Sequence, residues 1–552
     1  MRGCGSASGL LLLAAVTACS EPSVKGGSLL GFVPADSPYV IASGAPFPPE
    51  YLDKLRQIEA ELRPILAEAL ADATGASGGR GDGSAAERAS AELLMKISFG
   101  YPELGIREDS RFVLYGRGLY PTGRIETADP ARASELLDQI AQQAGPELEA
   151  REASGQRYWR LDLGQLVLLM SVREGALIGG LSPRVDEASL LDHLLAASGS
   201  GSSEDIAARI EALRARHGLG PQAAGYLDSQ KVLDIALDAY AEAGAPVAAA
   251  CRDELGAMAQ AAPQWVVGYQ DVTPTSITGR LALELDDPIA TELAEWSVPV
   301  PGTGDEQALA GLGLGIDAPK LVQSLSAWQR ALTERASACG GSANLDPGDA
   351  SKALIGLGMA GNPRGFWISL DEVATGADGR TRLGSSLLLQ AESPQSLALI
   401  GAGFLPLGPL LRSAGKAVEI PIPEGVLPPG APAPEKVWGI LTRDAIGLTT
   451  SQAGPDRLEQ LVAAAPPPPG TLLTVELDVH RLADQLASGL TQSLDQLLEA
   501  AGSGSEDLAA RRRELERTSR MAGIYGQVID RILFRLVATG QAIEVRETIQ
   551  LR

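Results

Sequence analysis

The chain has only three histidines and four cysteines in 552 residues. This scarcity removes whole classes of chemistry. His193, His217 and His480 are not spaced with one another, or with a cysteine, as metal ligands would be. No HExxH or CxxC occurs, so no metal site is expected. No P-loop is present either. Gly311-Leu312-Gly313-Leu314-Gly315 is rich in glycine but runs straight into Ile316-Asp317, and it reads as a strand rather than a phosphate cradle. Basic charge is also short. Against 69 acidic residues stand 46 Lys and Arg, a net charge of −23. A surface this acidic argues against nucleic acid and against electrostatic adhesion to anionic lipid. Gly75-Ala76-Ser77-Gly78-Gly79 formally matches a hydrolase elbow, but it lacks the preceding strand that such an elbow needs. The expectation is a chain without cofactor or metal, and not an enzyme.

What the sequence does have is an informative beginning. Arg2 precedes the apolar run Leu10 to Val16, and small residues lead to Cys19, after which Ser20 and Glu21 turn polar. The run is shorter than the roughly 20 residues a membrane span requires, so it reads as the core of a secretory signal. Val16-Thr17-Ala18-Cys19 resembles the lipobox of bacterial lipoproteins. That resemblance implies cleavage after residue 18 and a diacylated Cys19 as membrane anchor. Buried acyl chains contribute about 0.8 kcal/mol per methylene, and two or three give stable anchoring. Ser20 resembles the outer-membrane sorting pattern if the host is Gram-negative. The location expected is the bacterial cell envelope, facing the periplasm or the surface. With Cys4 in the signal and Cys19 as anchor, Cys251 and Cys339 remain as a candidate disulfide in an oxidising compartment.

A recurring pattern organises the remainder. Gly225–Leu233, Gly315–Val322 and Val475–Leu482 each join a short apolar strand to Asp, two residues, a basic residue and an amphipathic helix. Asp228, Asp317 and Asp478 therefore read as helix N-caps rather than catalytic carboxylates. A looser copy begins at Ser37 and enters its helix through Pro48-Pro49. Strands such as Leu281, Leu283, Leu285 and Ile543, Val545 alternate with period two, as a half-buried antiparallel sheet does. The ordered recurrence predicts an α+β protein of two related halves from an internal duplication, each an antiparallel sheet packed with helices. The expected organisation is signal 1–18, tether 19–29, first half 30–288, linker 289–305 and second half 306–552. The proline-rich Val298–Gly304 supplies the linker.

Ser396–Leu411 carries no charge at all, whereas the corresponding stretch of the first half, Ala131–Gln143, is ordinarily amphipathic. Pro406 and Pro409 exclude a spanning helix. The stretch is expected either to be buried at the junction of the halves or to be exposed to an apolar ligand, a membrane or a partner, with Leu399, Phe404, Leu407 and Leu410 as the candidate patch. The opening Phe32-Val33-Pro34-Ala35-Asp36-Ser37 resembles large bacterial envelope lipoproteins classed as domains of unknown function, which implies location but no activity. The function expected is a lipid-anchored, non-catalytic envelope protein that binds or scaffolds another envelope component. A carrier or sensor of an apolar, lipid-like ligand is the alternative, and a hydrolase with an unrecognised site stands third.

Overall fold

A computed structural model describes residues 29–76, 105–107, 109–144, 148–196, 203–299, 302–334, 339, 347–375, 381–403, 406–413, 415–422, 436–464, 467–485 and 506–552. The signal segment with Cys19, Ser77 and Phe404 lie outside the described residues. Among the described residues, nineteen strands form one antiparallel sheet with helices packed on it. This corrects the expectation of two related halves, each with a sheet of its own. Period-two alternation identifies a strand and its buried face. It says nothing about which backbone edge that strand offers to which neighbour.

By compactness the chain divides into two units, Met1–Val247 with Ala262–Leu281, and Ala248–Ala261 with Ala282–Arg552. The division falls at Leu281/Ala282 rather than in a linker at 289–305. Residues expected in that linker belong instead to helix Asp287–Glu295, with Ala290 and Leu293 buried.

The first unit holds β1 (Tyr39–Ser43), β2 (Phe112–Arg117), β3 (Tyr120–Glu126), β4 (Leu148–Ala153), β5 (Gln156–Leu163), β6 (Leu166–Arg173), β7 (Ala176–Pro183), β8 (Ala223–Asp228) and β9 (Gln264–Thr273). Their order is β9-β8-β1-β2-β3-β7-β6-β5-β4. Two-residue turns set the register of β4–β5 and β6–β7. Ser154-Gly155 and Glu174-Gly175 each place both residues at positive φ, the turn whose twist matches paired strands. Trp159, Leu161 and Met170 pack with Leu137 and Ile140 of helix Pro130–Ala144. Leu169 and Ile178 pack with Leu190 and Leu194 of helix Glu187–Leu195.

The division lies within β10 (Ser276–Glu284). Beyond it the second unit holds β11 (Ala310–Gly315), β12 (Pro363–Thr375), β13 (Thr381–Ala391), β14 (Val418–Ile420), β15 (Val437–Leu441), β16 (Ala445–Thr449), β17 (Thr471–Asp478), β18 (Ile529–Ala538) and β19 (Ala542–Leu551). Their order is β19-β18-β17-β11-β12-β13-β16-β15-β14. The glycine-rich strand is β11, and its glycines serve packing. A Cβ on Gly311 or Gly313 would meet the indole of Trp367, which is fully buried with Leu388 and Leu461. At the other end of this unit Leu293 and Trp296 pack on Leu472 and Ala538. The Trp296 indole N–H donates to Ser324 Oγ at 3.1 Å.

Candidate functional site

The uncharged stretch Ser396–Leu411 folds as two short helices, Pro394–Gly401 and Gly408–Leu411. Pro394 and Pro409 both stand at helix starts, where a missing backbone N–H costs nothing. The expected patch is not brought together. Leu407 and Leu410 turn inward and pack with Ala398, Ile420, Leu441 and Ile446. Leu399 is 62% exposed and Ile400 45% exposed. Successive helical residues point about 100° apart, so burying Ala398 turns Leu399 outward. The apolar surplus of this segment is therefore divided between core and surface.

The most concentrated polar chemistry of the second unit was not apparent from sequence. Arg457, 1% exposed on helix Gly454–Ala463, pairs with both Asp305 and Asp371. Asp371 also accepts from Ser369 Oγ at 2.7 Å and from Ser386 Oγ, which in turn meets Thr449 Oγ1 at 2.8 Å. The two carboxylates hold the Arg457 guanidinium firmly charged against the opposing effect of burial. Beside them Glu476 Oε1 accepts the Gly304 N–H at 2.6 Å, and burial pushes the Glu476 carboxyl up. Arg531 donates to the Asp305 carbonyl at 2.7 Å, and Arg481 to that of Gln307 at 3.2 Å. Three arginines from separate elements thus grip the segment 305–307, next to the stretch that composition marks as a flexible joint. Arg457, Asp305 and Asp371 are nearly buried, and together with Arg531 and the more exposed Arg481 they hold this loop on the sheet.

The recurring Asp motif resolves into a two-part fastening. Asp228, Asp317 and Asp478 each accept the backbone N–H three residues on, at 3.1, 3.1 and 2.8 Å. All three are N-caps, as their position implies. The basic residue of each motif then ties down a distant carbonyl. Lys231 Nζ donates to Ala35 O at 3.2 Å, Lys320 Nζ to Glu295 O at 3.3 Å, and Arg481 to Gln307 O. The motif's job in this structure is structural.

In the first unit Tyr115 Oη and His193 Nε2 are 2.7 Å apart. Burial, then the charges of Arg117 and Arg124, lower the His193 imidazole to about 4. Arg124 is itself buried, with its guanidinium 3.5 Å from the Phe32 ring centre. Tyr115 is wholly buried, and His193 is half-buried beside it. His217 is buried, and its carbonyl accepts from Arg280. His480 Nδ1 lies 3.0 Å from Gly526 O. A cleft of about 270 Å³ in the first unit is lined by Leu30, Ala42, Phe112 and Ile210 together with Arg111 and Arg214. Those two arginines are already paired, with Glu126 and Glu211.

Cys251 and Cys339 are joined by a disulfide, with Cα atoms 4.7 Å apart. Among the described residues no group of three or more His, Cys, Asp or Glu is placed to hold a metal ion, and no helix is long and apolar enough to cross a membrane. Comparison with protein families, with curated proteins and with solved structures gives no match.

Proposed function

We propose that this chain is a lipid-anchored, non-catalytic protein of the bacterial envelope that binds or scaffolds another envelope component. The single observation that carries the binding half of this reading is the divided stretch 394–411. Leu407 and Leu410 are spent on core packing, whereas Leu399 and Ile400 are left exposed on a short helix. A carrier of apolar ligands would need those side chains to line one space; a binder needs some of them outward. The Arg457–Asp305–Asp371 cluster adds support, because it is a buried fastening rather than an accessible acid–base group. The anchor rests on Val16-Thr17-Ala18-Cys19 and the resemblance of that stretch to a lipobox.

Mild crosslinking in the native envelope, purification and mass spectrometry test both halves. An enriched envelope protein is expected, with recovery reduced by Leu399→Asp and Ile400→Asp together. Bound lipid without any enriched protein would overturn the binder in favour of the carrier. Cys19→Ser is expected to release the chain from membrane fractions or leave its signal uncleaved. Unchanged processing and retention would refute the anchor.

A further inference from the structure

Helix Ala249–Ala261 buries a single residue along its length, and that residue is Cys251. Around it Ala249, Ala250, Arg252 and Asp253 are exposed, and Met258 remains 64% exposed. At its far end the Ala261 carbonyl accepts the Asp286 N–H at 2.9 Å. The helix is thus fastened at its start by the bond to Cys339, 88 residues further along the chain, and at its finish by a backbone hydrogen bond. An isolated helix of 13 residues is marginal in water and ordinarily persists through an apolar face packed on its neighbours. Here Cys251 is the one buried residue of that face, with Leu255 and Ala259 only half-buried beside it. The other half of the disulfide, Cys339, is exposed.

We infer that the Cys251–Cys339 disulfide is a thiol-exchange site that acts as a redox-operated clasp on helix Ala249–Ala261. The reductant is a dithiol. Its thiolate attacks Sγ of Cys339, the exposed residue of the pair, the sulfur–sulfur bond breaks, and Cys251 leaves as a thiolate that takes up a proton. The second thiol of the reductant then attacks the mixed disulfide and releases Cys339 as a thiol. The dithiol leaves as its own disulfide, and the protein has gained two electrons and two protons. Released at Cys251, the first two turns of the helix keep only the half-buried Glu254, Leu255 and Gly256 against their surroundings, while Ala261 stays tied to Asp286. Reduction therefore frays the helix from its N-terminal end and leaves the sheet folded.

Hydrogen exchange read by mass spectrometry on the full chain tests this, with dithiothreitol as the dithiol. On reduction, amides of residues 252–258 are expected to exchange at least about tenfold faster, while peptides of β12 and β13 keep their protection. Reoxidation should restore the slow exchange. The double variant Cys251→Ala with Cys339→Ala should exchange like the reduced protein with or without the reagent. Equal protection of 252–258 in the oxidised and reduced protein overturns the clasp. So does a disulfide that dithiothreitol cannot open without denaturant, or free thiols at both positions in the oxidised protein. If the double variant does not fold, the reduction and reoxidation of the parent chain decide the matter alone.

Discussion

Trp367 of β12 stands opposite Gly313 of β11, and its ring atom Cε3 lies 2.9 Å from where a Cβ on that glycine would sit. The same indole covers Gly311. The glycines of Gly311-Leu312-Gly313 thus make a slot for one large aromatic ring, which gives the glycine-rich strand a packing reason. Gly311→Ala or Gly313→Ala should destabilise the second unit by about 1–3 kcal/mol through overpacking. Denaturant unfolding measures this. A double variant adding Trp367→Leu should recover part of the loss, because the two sites share one space. Full additivity would show that ring and glycines do not interact.

Arg457 carries its charge between two nearly buried carboxylates. Arg457→Met leaves Asp305 and Asp371 without their cation, and the expected cost is about 3–5 kcal/mol. Urea titration reads the loss. A midpoint unchanged from the parent would mean that the pair contributes nothing to holding the segment 305–307.

Two titrating groups, the half-buried His193 and the buried Glu476, work in opposite directions with pH. His193 is lowered to about 4 in the folded protein against an unfolded value near 6.5. The unfolded chain therefore binds the extra proton, and stability falls as pH drops from about 6.5 through 4. Glu476 is raised instead, so its contribution is fullest at low pH and is lost as pH rises through its folded value. His193→Asn should flatten the acid side of the stability profile, and Glu476→Gln the side above it. With only three histidines in the chain, NMR titration can follow His193 directly. An imidazole titrating near 6.5 would refute the burial argument.

Within the stretch 394–411, equal chemistry should have unequal effects. Leu410→Ala removes a fully buried side chain from the Ala398–Ile420–Leu441 cluster and should cost about 2–5 kcal/mol. Leu399→Ala, at an exposed position, should stay within about 0.5 kcal/mol. Thermal unfolding of the two variants compares them side by side. Matching losses would place Leu399 in the core as well.

Legibility followed distance along the chain. The caps at Asp228, Asp317 and Asp478 could be read directly, because donor and acceptor stand three residues apart. Strand alternation was equally local. The fastening of the segment 305–307 could not be read, since Arg457 meets Asp371 across 86 residues and Asp305 across 152. Composition at 298–304 spelled a joint, yet Thr303 is buried and the Gly304 N–H is held by Glu476. A count of leucines likewise does not say which of them face one another: Leu407 and Leu410 are buried, whereas Leu399 is exposed.

The sequence by itself determined the acidic, histidine-poor character of this protein, the local caps, the turns and the strand faces. Each of these depends on residues within a few positions of one another. Only the tertiary structure decided that nineteen strands share one sheet, and that helix Ala249–Ala261 belongs with the later residues and not with those flanking it. It alone showed that Trp367 fills the glycine slot. Those outcomes turn on which backbone edge pairs with which, and on which side chains reach the same volume. Pairing between distant segments is selected by packing across the whole fold, and no short stretch of sequence carries that information.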